Sequence, residues 1–598
     1  MCRIAGIITL ESTKHDHYDH VNSMCLAMAN GGPDGHKIYQ SEHKKVTLGN
    51  RRLALLDLSE NGAQPMTLEN GITITYNGEI YNHLEIKKEL ENLNYKFKST
   101  TDTEVILIAY KHWGIKSFAK LRGMYSFCIY DPLLQKVILV RSPLGIKPLY
   151  YSTQHSKLIF ASEVKAFIKS SENFKTSDDW KIYLLAFGHI PEPHSTLENV
   201  LSLPKGTYLS WDLKTGDHTI TTFFEFTHEK KINTLVEAKK QLSKSLRNSV
   251  KKHLLSDAPI GIFLSGGIDS SILTLIADEC TRKLKTISLN FKESNFSEEK
   301  FQNIVKNKIL SEHISYSLTQ SDFNEHLKEA LNSMDQPSND GLNTWYICKI
   351  AKENGLKAVL SGIGPDELLG GYVSFRRSGI LKILNSTPNF IKKIISKIPI
   401  EGINRTYFLT YNSTIGDYLF LRGIYDPKTI ARILKIDIEE VNKYLQSIEL
   451  KIPSSITNKK ERISYLEFNL YLQNQLLKDI DYMSMYHGIE IRTPYLDEDF
   501  VQTCLSIDNK IRFDLKLNKQ LLVDTFADIL PEKIYNRKKM GFSFPFTKWL
   551  KNNKLINTES IYKSNTQALK LLSAFKRNRL PWAKVLVLYQ IKTFTHSK

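Results

Sequence analysis

The sequence predicts at least two domains, the first of α+β class and the second of α/β class. Its 598 residues exceed the size at which one hydrophobic core keeps growing. In the first part, an alternating strand at residues 73–76 ends in a polar turn. In the second part, an apolar strand at 258–264 runs through a glycine turn into an apolar helix. We expect domains 1–215 and 216–598, because turn residues and a polar connector lie near this boundary.

Composition excludes several classes of protein. No apolar stretch reaches the roughly 18 residues that a membrane span needs, and the N-terminus lacks the apolar core of a secretory signal. Six scattered cysteines predict neither a disulfide framework nor a zinc cluster. The net charge is +18, but the lysines are spread among Asn and Ile, which disfavours a nucleic-acid partner. We therefore expect a cytoplasmic protein without a membrane span; a homodimer is compatible with the sequence.

Cys2 follows the initiator methionine directly. If Met1 is removed, one residue carries both a thiol nucleophile and a free α-amino group, whose pKa lies near about 7.7 to 8.0. Such an amine can take the thiol proton and return it to a leaving amine. The alternative is that a cysteine at this position has no chemical role.

Asn77 and Gly78 follow the alternating strand at residues 73–76. An Asn-Gly pair is by itself a hairpin turn signal. The functional alternative is that the Asn77 amide and the Gly78 backbone N–H stabilise an oxyanion, and one such donor is worth roughly 2.7 to 4 kcal/mol of barrier. Arg52 and Asp102 are suited to the carboxylate and ammonium of an amino acid, although each alone is more often a surface charge.

As a set, these residues resemble the glutaminase domain of the asparagine synthetase family. The resemblance includes residues 1–7, 32–35, 51–53, 76–82, 101–105, 123–127 and 145–150. It implies an N-terminal-nucleophile fold, an αββα sandwich that hydrolyses glutamine to glutamate and ammonia. It further implies that Cys2 attacks the side-chain amide while Asn77 and Gly78 hold the oxyanion. Arg52, Glu79 and Asp102 would then bind the substrate's backbone groups.

The second part contains the turn Ser265 to Ser271 between the strand and the helix. Glycines let the backbone approach a phosphate closely, and a helix N-terminus supplies free N–H donors. The segment lacks the Gly-Lys-Ser/Thr ending of a P-loop. It resembles the pyrophosphate loop of ATP pyrophosphatases, which cleave ATP between the α and β phosphates.

Asp366 and Glu367 lie in a glycine-rich loop that follows a second apolar strand, residues 357–362. Adjacent carboxylates there suit a magnesium ion shared with ATP phosphates, and the alternative is an acidic N-terminal turn of a helix. The segment resembles the second signature of the synthetase domain, which is expected to be an α/β domain with a helical C-terminal part.

The resemblance implies a set of nucleotide and metal residues in this domain. ATP and Mg2+ are the implied cofactors, Asp269 and Asp366 the implied metal ligands, and Lys539 the lysine that neutralises the leaving pyrophosphate. The implied ATP-binding residues are Phe263, Ser265, Gly266, Gly267, Asp269, Ser270, Leu289 and Gly362.

Several positions depart from the family pattern. They are Arg3 for glycine, Gly31 for arginine, Ser142 for aspartate, Ile363 for glutamate, Pro365 for a small residue and Tyr482 for arginine. Ile363 matters most, because an isoleucine can neither accept a proton nor bind ammonium.

The sequence thus predicts a ligase that uses ATP and glutamine to convert a carboxylate to an amide through an acyl-adenylate. Aspartate is the leading acceptor, which would make the reaction asparagine synthesis. Two alternatives stay open because of Ile363. The chain could amidate another carboxylate, on a cell-envelope sugar or peptide, or it could be a degenerate binding protein without turnover.

Overall fold

The computed structural model describes residues 2–11, 17–281, 283–398, 400, 402–513, 519–538, 540–541 and 544–595. The described residues of the first part form twelve strands: β1 Cys2–Thr9, β2 Gly35–Gln40, β3 Val46–Arg52, β4 Met66–Thr67, β5 Thr73–Ile80, β6 Gly123–Asp131, β7 Lys136–Arg141, β8 Tyr150–Ser152, β9 Lys157–Ala161, β10 Leu201–Ser202, β11 Thr207–Asp212 and β12 His218–Thr222. Its helices are α1 Tyr18–Ala27, α2 His83–Glu91, α3 Asp102–Trp113 and α4 Trp180–Phe187.

These strands form two six-stranded antiparallel sheets, in the orders β10-β8-β9-β1-β3-β2 and β12-β11-β7-β6-β5-β4. Ile4 and Ile8 of β1 pack between the sheets against Leu139 and Leu209. The opposite face of β1 packs on α1, and α2 and α3 cover the outer face of the second sheet. Because both faces of each sheet are covered, β1 is buried along its whole length. The predicted αββα sandwich is confirmed.

The third sheet is parallel, in the order β15-β14-β13-β16-β17. Its strands are β13 Ile260–Phe263, β14 Lys285–Phe291, β15 Glu312–Leu318, β16 Ala358–Leu360 and β17 Glu490–Arg492. The helices around it are α5 Leu235–His253, α6 Ile268–Cys280, α7 Glu299–Lys306, α8 Gln320–Asn332 and α9 Leu342–Glu353. The α/β class of this domain is confirmed as well.

The rest of the described chain is helical. The helices are α10 Pro365–Leu369, α11 Val373–Arg376, α12 Ser378–Asn385, α13 Asn389–Ile395, α14 Thr414–Arg422, α15 Pro427–Leu434, α16 Ile438–Gln446, α17 Lys459–Leu466, α18 Leu477–Met485, α19 Glu498–Ser506, α20 Asn509–Phe513, α21 Gln520–Thr525, α22 Glu532–Tyr535, α23 Phe546–Lys551, α24 Lys554–Asn557, α25 Thr566–Lys576 and α26 Trp582–Thr593. A π-helical segment, Glu467–Leu476, joins α17 to α18. Within the described residues, no helix is long and apolar enough to cross a membrane.

The boundary between the parts lies after β12, which pairs with β11 in the second sheet, and before α5. The predicted boundary at residue 215 falls in the β11–β12 turn and stays a prediction. Helix α4 of the first part packs against α14, α15, α16 and α26 of the second, so one apolar cluster continues across both parts.

A buried ion network also joins the two parts. Arg3 Nε lies 2.5 Å from Glu163 Oε1, and Arg3 Nη2 lies 2.9 Å from Asp481 Oδ2 of α18. Lys147 Nζ lies 3.0 Å from the other oxygen of Asp481, and Lys165 binds Glu163. Burial favours a neutral acid, but the cations Arg3 and Lys147 hold the pKa of Asp481 below its ordinary value. The buried charges at this interface are therefore stabilised by their ion-pair partners and not by water.

We predict that Asp481→Asn destabilises the protein by about 3–5 kcal/mol, because it leaves Arg3 and Lys147 buried with too little counter-charge. Urea unfolding of both proteins measures the difference. The matched control is Asp178→Asn, because the Asp178 side chain is 95% exposed where it binds Lys181. This variant should change the free energy of unfolding by less than about 1 kcal/mol. Equal shifts for the two variants would contradict a buried network.

Candidate functional sites in the two domains

Cys2 begins β1 and is 5% exposed. Its backbone nitrogen donates to Asn77 Oδ1 at 3.3 Å, and the Gln64 side-chain nitrogen lies 4.0 Å from its sulfur. Burial raises the pKa of the Cys2 thiol, so the thiol is held neutral and needs a nearby base to become a nucleophile. The predicted nucleophile and oxyanion residue Asn77, 75 positions apart, are thus neighbours.

Gly78 follows Asn77 within β5 and has a φ of +155°. A Cβ atom at this position would lie 2.2 Å from the Met124 carbonyl oxygen of the paired strand. Only glycine fits this close approach of two backbones. The Asn-Gly pair therefore lies inside a strand and not in the hairpin turn that its composition also allows.

Arg52 and Asp102 both lie near Cys2. Strand register pairs Cys2 with Arg52, and Arg52 Nη1 donates to the Ser59 carbonyl at 2.8 Å. Asp102 begins α3, and its Oδ2 accepts from Tyr76 Oη at 2.7 Å and from the Ile80 N–H at 2.9 Å. A cation and an anion thus flank the thiol, which is the charge pattern needed to bind an amino acid at its two charged ends.

Glu79 differs from these two residues, because its carboxyl group lies beside an arginine from the second part of the chain. Its Oε1 lies 3.3 Å from Nη2 of Arg492 in β17. Arg492 Nε also lies 2.5 Å from Glu490 Oε1, and both side chains are fully buried. Burial raises the pKa of Glu79 well above its ordinary range. A role of Glu79 in binding glutamine stays a prediction.

Gln64 is a residue near the thiol that the sequence analysis missed. Its side-chain nitrogen donates to Thr103 Oγ1 at 3.1 Å, and its oxygen accepts from the Tyr76 N–H at 2.8 Å. No local pattern marks Gln64, since it lies in the loop before β4 and reaches Cys2 only through the fold.

The second candidate site is a cavity of about 600 Å³ at the carboxyl ends of the parallel strands, where open α/β sheets bind their ligands. The predicted nucleotide and metal residues in its wall are Phe263, Ser265, Gly267, Asp269, Ser270, Leu289, Gly362 and Asp366. Gly266 is absent from the wall but has a φ of +84°, which forms the turn. The cavity volume lies within the usual range of small-molecule sites, about 300–1,000 Å³.

The turn before α6 has the geometry of an anion site. Ser265 Oγ accepts from the Gly267 N–H at 3.3 Å and lies 2.9 Å from Ser270 Oγ. Helix α6, which is 13 residues long, begins at Ile268 and its first turn borders the cavity. The N–H groups and dipole of this helix end favour a phosphate.

Lys519 lies between the two carboxylates that were predicted to bind metal. Its Nζ is 2.6 Å from Asp269 Oδ2 and 2.8 Å from Asp366 Oδ1. Although burial opposes its charge, the two aspartates raise the pKa of Lys519 above its ordinary value. The sequence analysis missed this lysine, because one lysine among 81 basic residues carries no local signal.

The ammonium of Lys519 shows that the Asp269–Asp366 pair accommodates a cation. Among the described residues, no group of three or more His, Cys, Asp or Glu side chains could hold a metal ion. Magnesium is commonly held by one or two carboxylates together with substrate phosphates. These residues therefore fit Mg2+ in company with a phosphate ligand.

Lys539, the predicted lysine for the leaving pyrophosphate, lies outside the described residues. Its neighbours Arg537, Lys538 and Met540 line the cavity. Arg537 Nη2 donates to the Gly266 carbonyl at 2.9 Å and lies 2.6 Å from Glu298 Oε1. Arg537 therefore attaches the start of the basic segment, residues 537–539, to the turn before α6.

Two of the departures from the family pattern form one exchange. A Cβ atom on Gly31 would lie 2.8 Å from Cγ of Arg3, so the space that a side chain at position 31 would need is filled by Arg3. The arginine expected at 31 and the glycine expected at 3 have changed places.

Tyr482, which stands where the family has an arginine, contacts the first domain through its hydroxyl group, 2.5 Å from Tyr150 Oη.

Two further departures are tolerated by their surroundings. Pro365 is the first residue of α10, a position where the missing N–H costs nothing. Ser142 is buried, and its neighbour Arg141 is paired with Glu192, with Nη2 2.9 Å from Oε1.

Ile363 lines the cavity, and so do two carboxylates besides Asp269 and Asp366, namely Asp340 and Asp479. Asp479 of α18 is 4% exposed and accepts from Ser338 Oγ at 2.8 Å. Burial, together with the charge of Asp340, raises the pKa of Asp479 well above its ordinary range. The cavity therefore contains acids even though position 363 does not supply one.

Two family profiles match the two parts of the chain. Residues 1–224 match the family profile described as a glutamine amidotransferase domain, and residues 241–576 match the one described as asparagine synthase. Asparagine synthetase [glutamine-hydrolyzing] 1 of Bacillus subtilis is 30% identical over 92% of this chain and 88% of its own length. Asparagine synthetase [glutamine-hydrolyzing] 2 of the same organism is 29% identical over 91% of this chain and 72% of its own. The solved glutamine phosphoribosylpyrophosphate amidotransferase of B. subtilis aligns with a TM-score of 0.30 at 14% identity, over 53% of this chain and 81% of that one.

We predict that Lys519→Met destabilises the protein by about 3–5 kcal/mol, because Asp269 and Asp366 lose the buried cation between them. Magnesium should recover part of this loss in the variant and change the wild type less, since the ion would replace the missing charge. Thermal melting with and without magnesium measures both effects. The control is Lys548→Met, because the Lys548 side chain is 61% exposed beside Glu293. The cation site would be contradicted if Lys519→Met lost no more stability than this control, or if magnesium did not change its melting temperature.

Proposed function

Because this chain belongs to the family of glutamine-hydrolysing asparagine synthetases, we propose that it converts aspartate to asparagine at the expense of ATP and glutamine. The products would be asparagine, glutamate, AMP and pyrophosphate. The observation that carries the proposal is the pairing of two sites in one chain. A buried thiol lies beside an Asn-Gly pair, and a phosphate-type cavity contains two carboxylates bridged by a lysine.

In the first site, the α-amine of Cys2, freed by removal of Met1, would take the thiol proton. The sulfur then attacks the side-chain carbonyl carbon of glutamine, and Asn77 and Gly78 donate to the oxyanion. The C–N bond breaks as the amine returns the proton, so ammonia leaves and a thioester remains. Water hydrolyses the thioester to glutamate and restores the thiol. Arg52 and Asp102 would hold the carboxylate and ammonium of the substrate.

In the second site, a carboxylate oxygen of aspartate would attack the α-phosphorus of ATP, and pyrophosphate would leave. The turn Ser265 to Ser270 and the N-terminus of α6 would bind phosphate oxygens. Lys519, and Lys539 in the basic segment, would neutralise charge on the leaving group. Asp269 and Asp366 would hold a magnesium ion, which supplies further charge neutralisation when it is bound with ATP.

Ammonia would then attack the acyl carbon of the adenylate, and AMP would leave. The nitrogen must lose a proton in this step, and Ile363 cannot accept it. Asp479 and Asp340 line the same cavity, and the Asp479 carboxyl group is positioned there by a hydrogen bond from Ser338 Oγ at 2.8 Å, so that its oxygens are candidates to take the proton. We assign this proton transfer to Asp479.

The acceptor is tested with purified protein, magnesium, ATP and ammonium, offered one carboxylic acid at a time. We expect pyrophosphate release that depends on aspartate, and asparagine in equal amount. Pyrophosphate release with another acid but none with aspartate would show a different acceptor. No release with any acid would contradict the ligase proposal itself.

We predict that Cys2→Ala abolishes the glutamine-driven reaction and keeps the ammonium-driven one, because only the first uses the thiol. Rates of pyrophosphate release with each nitrogen source measure this. Cys280→Ala removes an exposed cysteine and should leave both rates unchanged. Loss of both reactions in Cys2→Ala would contradict the division of labour between the two sites.

A further inference from the structure

Residues 373–400, here called the helical arm, carry an unusual surface. Its described residues are α11, α12 and α13 with the residues that join them, and residues 396–398 and 400. It holds seven of the 22 large hydrophobic side chains that are exposed among the described residues. These are Val373, Ile380, Ile383, Phe390, Ile394, Ile398 and Ile400, which are between 41% and 70% exposed. Single exposed hydrophobic side chains are common in proteins, whereas such a concentration marks an interaction surface.

The arm is attached firmly through its inner face. Leu381 of α12 is 4% exposed, and Asn385 donates to Asp417 Oδ1 at 2.8 Å. Lys392 of α13 is buried, and its Nζ donates to the Leu409 carbonyl at 3.2 Å. The exposed isoleucines and Phe390 therefore lie on the outer face of helices that already have an inner partner.

The arm is also strongly basic. Residues 373–400 contain six Lys and Arg and no Asp or Glu. Arg376, Lys382, Lys393 and Lys397 are exposed, so they alternate with the apolar side chains on the outer face. A surface that combines large aliphatic side chains with basic ones is typical of helices that lie in the interface of an anionic membrane.

Other partners fit this surface less well. The cores of protein interfaces are depleted in lysine, and here lysines stand among the exposed isoleucines. Proteins that bind single-stranded nucleic acid stack bases on aromatic side chains, and Phe390 is the single aromatic among the seven exposed side chains.

We propose that the helical arm binds the surface of an anionic lipid bilayer, with Ile380, Ile383, Phe390 and Ile394 inserted among the lipids. Lys382, Lys393 and Lys397 would contact the headgroups. Binding of this kind is peripheral and needs no membrane-spanning helix. The inference is independent of which acid the enzyme amidates.

The arm begins at the rim of the second candidate site. Tyr372, directly before the arm, and Arg376 within it both line the cavity. Arg376 is also exposed. A bilayer bound to the arm would therefore lie beside the cavity in which the acceptor is activated.

Flotation of the full-length protein with lipid vesicles tests the proposal. The vesicles are pure phosphatidylcholine, or phosphatidylcholine with about 30% phosphatidylglycerol. We expect binding to the anionic vesicles that weakens between about 0.1 and 0.5 M salt. Ile383→Ser with Phe390→Ser should reduce the partition coefficient by about tenfold or more, and Lys382→Glu with Lys393→Glu should abolish binding.

Matched controls separate the arm from general hydrophobicity and charge. Leu133→Ser with Leu134→Ser removes two side chains that are 70% and 61% exposed in the β6–β7 turn, and Lys88→Glu with Lys214→Glu changes exposed charge in the first domain. Both should bind vesicles like the wild type. All variants should keep wild-type ammonium-driven pyrophosphate release in solution, which shows that they fold.

Three results would overturn the proposal. The first is that the wild type does not bind anionic vesicles, and the second is that the arm variants and the controls lose vesicle binding equally. The third is that light scattering shows a dimer, which Ile383→Ser with Phe390→Ser dissociates. The last result would assign the arm to contact between copies of this chain.

Discussion

The buried ion network around Asp481 is the interaction on which the arrangement of the two sites depends. Arg3 is the residue next to Cys2, the proposed nucleophile, and Asp481 lies two positions from Asp479, which lines the cavity of the other domain. Charges buried this deeply are stable only with their partners in place. The strand that begins at Cys2 and the helix that borders the cavity are therefore fixed relative to each other.

The same principle explains why departures from the family pattern are tolerated. Arg3 fills the space above Gly31, and its guanidinium group is met by Glu163 and Asp481. Arg141, which precedes Ser142, is paired with Glu192 at 2.9 Å. In this chain the charges of both arginines are therefore paired with carboxylates from distant positions.

The second site combines a backbone turn with charged side chains at the carboxyl ends of the parallel strands. The turn before α6 supplies backbone N–H groups, and Lys519 holds two aspartates together. A bound phosphate and its cation would take over the role of balancing these carboxylates. The helical arm begins at the rim of this cavity, since Tyr372 directly before the arm and Arg376 within it both line the cavity.

The sequence alone determined the elements whose signals are local. The strand, glycine turn and helix of residues 258–280 and the Asn-Gly pair after residue 76 are visible because their periodicity and turn residues lie within a few positions. Only the tertiary structure decided that Lys519 joins Asp269 to Asp366, that Gln64 approaches Cys2, and that Arg492 meets Glu79. These contacts join residues far apart in the chain, and which long-range partners meet depends on how the sheets and helices pack.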